Sequence, residues 1–277
     1  MIYDDQPPET LPVRGRSSLP SGRHRRPASA DLPPDAPVLV LAVPGDRTDV
    51  ADEIASLTRT ARNELDVRVA PLAGSALADV LRGLPDDRSA VVVPLITGPN
   101  ARVYRDIDAG LKDAGVEAGR VAVTDPLGPH PLLAEALHVR LADAGLARAD
   151  RIRQFSIGAS VDGVIVAAVG GTEAAREADM TAVLLAARLA VPVVAAAVDG
   201  PPTVADAVAR LRESGAQRLA VAPYVIGPEL DHEQLAKLAA EAGLGCGAPL
   251  AEHSSVVRLV NLRYEVAMET VMDEGRS

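Results

Sequence analysis

Aromatic residues are scarce in this chain. The 277-residue sequence contains no Trp, one Phe and four Tyr, so only 2% of it is aromatic although 48% is hydrophobic. Its cores must therefore be built from Ala, Val and Leu, and any bound ring would rest on aliphatic side chains. Cys is scarcer still, because Cys246 is the only one. A single thiol excludes an intramolecular disulfide and a metal cluster held by thiolates.

Long apolar segments and positive charge are also lacking. The longest apolar run, Val183 to Val198, is interrupted by Arg188 and Pro192 and is too short to cross a bilayer. No apolar signal core precedes the first predicted strand, so we expect a cytoplasmic protein without membrane contacts. The chain has 28 Lys and Arg against 38 Asp and Glu, a net charge of −10 that disfavours nucleic acid as a partner.

Three short motifs occur twice in the same order, which indicates an internal duplication. The segment at residues 91–99, VVVPLITGP, is repeated at 220–228 as AVAPYVIGP. The segment PLGPH at 126–130 is repeated as PLAEH at 249–253, and AVPG at 42–45 as AVGG at 168–171. Each copy of the first motif is an apolar strand that runs into a loop with Pro and Gly. We therefore predict two equivalent domains with matching loops in matching places.

Hydrophobic periodicity predicts alternating strands and helices in both halves. This alternation, with strands that are apolar throughout, is typical of parallel sheets covered by helices on both faces. We predict an α/β fold of two duplicated, doubly wound, four-stranded domains with strand order 2-1-3-4. The predicted divisions are a disordered arm rich in Pro and Arg at 1–36, a first domain at 37–146, a connector at 147–156 and a second domain at 157–272. The last strand, near residues 245–249, is the weakest.

The switch point of such a sheet lies between its first and third strands, where ligands bind beyond the carboxyl ends. In the first half, Arg47, Gly98, Arg102 and Arg105 are the candidate ligand-binding residues there, because guanidinium groups and free amides suit a carboxylate. Ordinary surface pairing with Asp46 and Asp106 is the alternative. In the second half, Gly170 and Gly171 are explained by a tight turn into the next helix.

Metal-binding side chains cluster once in the second half. Glu229, Asp231 and His232 offer oxygen and nitrogen donors at a carboxyl-end loop, the ligand types that suit Co, Fe, Ni or Zn. The alternative is that Asp231 caps the following helix while Glu229 and His232 are solvated. His130 and His253 occupy repeated positions, either as helix caps or as a ligand pair, and His138 is expected to face solvent.

These residues resemble the class II tetrapyrrole chelatases of the CbiX/SirB type over about residues 37–272. The resemblance rests on the duplication, on VVPL at 92–95 with the following Asp106-Ile107, and above all on DPLGPHPLLAEAL at 125–137. It implies two α/β domains around a cleft and a metal-inserting lyase that places Co²⁺ or Fe²⁺ into sirohydrochlorin for cobalamin or sirohaem. It implies no cofactor beyond the metal substrate, a tetrapyrrole partner, and a monomer or weak oligomer.

The chain departs from the family at both metal-binding histidines. Pro44 stands where the first histidine is expected, and Arg102 where the second is expected. In the second half we match Pro44 with Gly170 and Arg102 with Asp231, so the duplication supplies no histidine in register. Proline, glycine and arginine side chains are not metal ligands. Two hypotheses follow: metal held by Glu229, Asp231 and His232, or a pseudo-chelatase that binds tetrapyrrole or metal without inserting it.

Overall fold

Two four-stranded sheets, all parallel, organise the protein in a computed structural model that describes residues 32–33, 35–85, 87–117, 119–148 and 161–274. The strand orders are β2-β1-β3-β4 and β6-β5-β7-β8, so the predicted 2-1-3-4 order is confirmed twice. The strands are β1 (Val38–Val43), β2 (Val67–Pro71), β3 (Ala90–Pro94), β4 (Val121–Val123), β5 (Gly163–Ala168), β6 (Val193–Ala197), β7 (Leu219–Pro223) and β8 (Gly245–Cys246). The helices are α1 (Asp49–Ala61), α2 (Ala76–Arg82), α3 (Ala101–Ala114), α4 (Pro131–Asp143), α5 (Gly171–Leu189), α6 (Val204–Glu213), α7 (His232–Glu241) and α8 (Ser254–Glu274).

The central strands β1, β3, β5 and β7 are buried along their whole length. That burial explains why they are apolar throughout instead of alternating, since helices cover both faces of each sheet. Strand β8 is shorter than predicted and ends at Cys246. Gly247 still donates its amide to the Val221 carbonyl, but Pro249 has no amide to continue the ladder.

The last helix of each half packs on the other half. Helix α8 contacts β3, β4 and α1 of the first half, and helix α4 contacts α5 and β7 of the second. The Tyr264 hydroxyl of α8 donates to the Pro37 carbonyl just before β1 at 2.7 Å, and Tyr264 is fully buried. Both sheets consequently belong to one compact unit, Pro33–Ser277.

One buried tyrosine joins the two halves in a way that the first half does not repeat. Tyr224 follows β7, and its hydroxyl accepts a hydrogen bond from Thr181 of α5 at 3.0 Å. Its carbonyl accepts from the Thr97 hydroxyl of the first half at 2.7 Å. A Cβ at Gly128 would lie 2.2 Å from the Tyr224 hydroxyl and 2.5 Å from the Thr97 carbonyl oxygen. Residue 128 must therefore be glycine, whereas its repeat Ala251 carries a side chain.

The repeated histidines are helix caps. His130 Nδ1 accepts the Leu132 amide of α4 at 3.1 Å, and His253 Nδ1 accepts the Ser255 amide of α8 at the same distance. This confirms the capping alternative for both. Burial is the main cause that lowers the pKa of each ring, and nearby guanidinium groups lower it further. His138 corrects our expectation of a solvent-facing ring, because it is buried and its Nε2 lies 2.8 Å from the Arg148 carbonyl oxygen.

Two predicted divisions fall largely on residues that the structure does not describe. The arm at 1–36 is described only at 32–33 and 35–36, and the connector at 147–156 only at 147–148. Within the described ranges, none of the helices has the length and apolar character needed to cross a bilayer.

The close fit of Gly128 and Tyr224 predicts a non-additive pair of substitutions. Gly128→Ala should lower the free energy of unfolding by about 1–3 kcal/mol through overpacking. Tyr224→Leu should lower it by about 3 kcal/mol, because Thr181 loses its partner and a cavity forms. In the double variant the added methyl no longer meets the tyrosine hydroxyl, so urea unfolding should show a combined loss smaller than the sum by about 1 kcal/mol.

The clash with the Thr97 carbonyl remains in that variant, so rescue should be partial. A matched control combines Gly128→Ala with Ser75→Ala, whose hydroxyl bonds Asp79 on α2. This second pair should be additive. Additivity in the first pair as well would contradict the packing described for Tyr224.

The histidine caps predict a pH dependence of stability. Because their folded pKa lies below the unfolded value near 6.5, the unfolded chain binds more protons, and stability falls as pH drops below about 6.5. The His130→Asn/His253→Asn double variant keeps cap acceptors that do not titrate. Its free energy of unfolding should fall less than that of the unsubstituted protein between pH 7.5 and 5, measured by urea unfolding. Parallel pH profiles for the two proteins would show that the caps do not couple to protonation.

Candidate functional site

The carboxyl ends of the strands in both halves open onto one shared cleft. It holds a cavity of about 510 Å³. Loops after β1, β2 and β3 and the start of α3 form one wall, and loops after β5, β6 and β7 form the other. The lining residues are Pro44, Gly45, Leu72, Ala73, Asn100, Arg102, Val103 and Asp106 from the first half, and Val169, Val198, Asp199, Pro228, Glu229 and Leu230 from the second.

Pro44 and Arg102 lie in the same wall of this cleft. Pro44 is buried directly after β1, whereas the Arg102 side chain is 84% exposed in the first turn of α3. The cap of α3 is Asn100, whose side-chain oxygen accepts the amides of Arg102 and Val103. Arg102 Nε lies 3.9 Å from the Asp106 carboxylate, one helical turn away. The guanidinium group is therefore held near the cleft by a weak, solvated pair that a ligand carboxylate could replace.

The other three predicted ligand-binding residues are not part of the cavity lining. Arg47 Nε lies 3.7 Å from the Asp49 carboxylate, in an exposed pair, and Arg105 is exposed on α3. Gly98 is buried where the two halves meet, and a Cβ there would lie 3.8 Å from Ala174 of α5. Gly227 is the repeat of Gly98. A Cβ at Gly227 would lie 3.3 Å from Val50 of α1.

Glu229 and Asp231 bond to backbone amides of their own loop, whereas the buried Nδ1 of His232 has no hydrogen-bond partner. Asp231 caps α7 and accepts the Gln234 amide at 3.2 Å, as the capping alternative predicted. The Glu229 carboxylate is not solvated: it accepts the Ile226 amide at 3.0 Å and the Gly227 amide at 2.7 Å. His232 is half-buried at the first position of α7. Throughout the described residues, no group of three or more His, Cys, Asp or Glu side chains is arranged to hold a metal ion.

Two features of its environment shift the pKa of the Glu229 carboxyl in opposite directions. Burial raises the pKa of this carboxyl, and it outweighs the hydrogen bonds from the backbone amides, which lower the pKa. Glu229 nevertheless lines the cleft together with Leu230. It is thus a carboxyl group folded back onto its own loop at the edge of the cavity.

Strand pairing corrects the match between the halves. Ala42 pairs with Pro94, and Ala167 pairs with Pro223, the repeat of Pro94. Ala42 therefore corresponds to Ala167, and Pro44 to Val169 instead of Gly170. The motifs AVPG at 42–45 and AVGG at 168–171 aligned the halves one residue out of register, because Ala, Val and Gly recur at adjacent positions.

The loop before α7 also differs from its repeat. Asn100 caps α3 directly after Pro99, whereas Asp231 caps α7 three residues after Pro228. Glu229 and Leu230 are therefore an insertion that the first half lacks. The repeat of Arg102 is consequently Glu233, and Asp231 is the repeat of Asn100. Matching the two halves by a constant difference in residue number does not reveal a short insertion of this kind.

Asp199 is a cleft residue that sequence reasoning missed. It follows β6, and its carboxylate accepts the Gly170 amide at 3.1 Å and the Gly171 amide at 2.9 Å. Only the loops after the first and third strands were considered as ligand sites, but the second strand also ends at the cleft. An acidic residue at a strand's carboxyl end, in the run Asp199-Gly200-Pro201, was the available signal.

Comparison with known proteins relates part of the chain to a protein family and the whole fold to solved structures. Residues 45–144 match the CbiX family model. No curated protein matches the sequence. Among solved structures, Bacillus subtilis SirB with Fe³⁺ is 14% identical with a TM-score of 0.62, covering 87% of this chain and 98% of SirB. SirB from B. subtilis subspecies spizizenii in complex with cobalt is 15% identical with a TM-score of 0.58, covering 84% and 96%.

A larger protein shows the same fold. A multi-domain protein of Deinococcus radiodurans, described as structurally similar to chelatases, is 19% identical with a TM-score of 0.55. The match covers 82% of this chain but 55% of that protein, so this chain spans about half of its length. Residues 45–144 thus resemble the CbiX family in sequence, and the two halves together share the fold of the SirB chelatases.

Proposed function

We propose that the protein binds a tetrapyrrole with acid side chains, of the sirohydrochlorin class, in the cleft between its halves. The observation that carries the proposal is the cavity of about 510 Å³, to which both halves contribute loops. Its wall is mainly aliphatic, with Pro44, Leu72, Val169, Val198 and Leu230, and such surfaces suit the face of a large flat ring. Arg102 adds one exposed cation for a ligand carboxylate.

The proposal treats the chain as a chelatase relative that holds its ligand without the usual metal-binding side chains. Pro44 has no side-chain atom that can ligate a metal, and the guanidinium group of Arg102 is not a metal ligand. The oxygens of Glu229 and Asp231 already accept backbone amides, which competes with coordination of an ion. The similarity to the SirB sirohydrochlorin chelatases supports the proposal, and sirohydrochlorin is inferred from that similarity.

Metal insertion on the route to cobalamin or sirohaem is the second candidate function. Asp106, Asp199 and Glu229 line one cavity, but they are not arranged around a common point, so a bound ion would have to draw them together. Carboxylate oxygens bind divalent ions such as Co²⁺ or Fe²⁺ when they converge. In that case the protein would be a metal-inserting lyase with an oxygen-rich site in place of imidazoles.

Ligand binding predicts a specific loss on removal of one arginine. Arg102→Ala should weaken sirohydrochlorin binding about fivefold to tenfold, the usual effect of losing one charged hydrogen bond at a partly exposed site. Absorbance titration of the purified full-length protein measures the change. Arg105→Ala is the matched control, because this arginine is exposed on the same helix and outside the cavity lining. Equal effects of the two substitutions would contradict a role for Arg102 in the cleft.

The two candidate functions predict different rates of Co²⁺ insertion into sirohydrochlorin. We expect Co²⁺ to enter sirohydrochlorin equally fast with and without the protein, because Glu229 and Asp231 are bonded to amides. The absorbance change of the metallated ring measures both rates. A faster rate with the protein, lost in Glu229→Gln but kept in the surface control Asp108→Asn, would establish metal insertion instead. No change of the ring spectrum on adding protein would remove both candidates.

A further inference from the structure

A second cavity, of about 400 Å³, lies between α6 and α7 on one face of the second sheet. Val221 of β7 forms its floor, and Val198 after β6 and Leu244 before β8 lie at its ends. Val198 is the one residue that this lining shares with that of the cleft. The second cavity is therefore a neighbour of the proposed tetrapyrrole site and has walls of its own.

Small side chains explain why the two helices leave this space. On α2 of the first half, Leu77 lies one turn before the buried Leu81 and packs on Gly110 of α3, where a Cβ would lie 2.9 Å from the leucine side chain. On α6, Ala207 lies one turn before the buried Leu211. A side chain that fills the space between the helices of the first half is thus replaced by a methyl group.

The neighbouring helix shows the same reduction. Ile107 lies one turn after the buried Val103 on α3, whereas Ala239 lies one turn after the buried Leu235 on α7. Helices α2 and α3 pack directly on one another. Helices α6 and α7, both of which the structure describes in full, contact the sheet but do not pack closely on each other. The second cavity occupies the gap between them.

The walls of the second cavity offer a ligand apolar contacts and no free polar side chain. Every lining side chain is aliphatic except that of Thr203, whose hydroxyl donates to the Asp206 carboxylate at 2.8 Å and accepts the Asp206 amide at 3.2 Å. A charged group placed inside would lose its water without gaining a partner. Leu238 lies in the wall and is 55% exposed, so the cavity opens to solvent. The ligand is consequently apolar where it is buried, and it can keep a polar end in water.

The second cavity is elongated along α7. Leu235, Leu238, Ala239 and Ala242 line it as one stripe, and these two turns of helix span about 10 Å. We infer that this cavity binds an alkyl chain of medium length, which belongs to a free amphiphile whose polar end stays in water. Burial of the methylene groups provides the affinity. The inference goes beyond the proposed binding of a tetrapyrrole and does not rest on it.

Binding of 1-octanol tests this site. The alcohol is titrated by calorimetry into the purified full-length protein without tetrapyrrole. We expect saturable binding at one site, with a dissociation constant of about 10 µM to 1 mM and a negative heat-capacity change. 1-Butanol should bind at least about fiftyfold more weakly, because its chain buries fewer methylene groups. Phosphatidylcholine vesicles should not sediment the protein with them. Co-sedimentation that Ala239→Ile abolishes would assign the cavity to a bilayer lipid and overturn the free ligand.

Two substitutions test the location of the bound alcohol. Ala239→Ile fills the cavity with the side chain that α3 has one turn after Val103. It should raise the Tm by about 2–4 °C and weaken octanol binding at least about tenfold. Leu238→Gln replaces an exposed wall residue and should weaken binding about fivefold while the protein stays folded. Leu262→Gln is the matched control, because Leu262 is 42% exposed on α8 and outside the lining, and it should leave the affinity unchanged.

Absence of saturable octanol binding would overturn the inference and leave the proposed function standing. Binding that neither Ala239→Ile nor Leu238→Gln weakens would place the alcohol elsewhere, such as in the cleft, and would also overturn it. Equal losses in Leu238→Gln and Leu262→Gln would do the same. If Ala239→Ile does not fold, the comparison of these two glutamine variants decides the question.

Discussion

Close approach of the two halves across the cleft is the constraint on which the rest of the structure depends. Each half sends a glycine loop, at Gly98 or Gly227, against the first helix of the other half. Each also gives its last helix to the other half, as α8 does when it covers β3 and β4. Hydrophobic surface that one sheet exposes is buried only when the second sheet is present. The cleft is consequently a product of the shared core, with its width set by packing far from any ligand.

The two walls of the cleft are equivalent in fold, but they differ in loop length and in side chains. The insertion of Glu229 and Leu230 brings a carboxyl group and an aliphatic side chain into the cavity lining. Asp199 adds a second carboxylate, bonded to the amides that open α5. Both changes satisfy backbone donors internally. As a result, the first wall of the cleft carries Arg102, whereas the second wall carries the carboxyl groups of Asp199 and Glu229.

The departure from the familiar chelatase site is a matter of side-chain chemistry on an unchanged framework. The fold is shared with the SirB chelatases. Proline after β1 and arginine on α3 supply no lone pair to a metal, but proline offers an apolar surface and arginine a charge for carboxylates.

The sequence alone determined the α/β class and the 2-1-3-4 order of both sheets, because uniformly apolar strands and repeated Pro and Gly loops are local signals. The DPLGPH run carried the resemblance to chelatases. The sequence also offered the helix cap as the alternative role of Asp231, from its residue type and position. The correspondence of Pro44 with Val169, the burial of His138 and the role of Asp199 required the tertiary structure. Strand register and loop insertions are fixed by pairing between distant segments, so a constant offset along the chain misses them. Whether a carboxylate faces water, a metal or an amide depends on which backbone groups the fold brings beside it, and only the folded chain decides that.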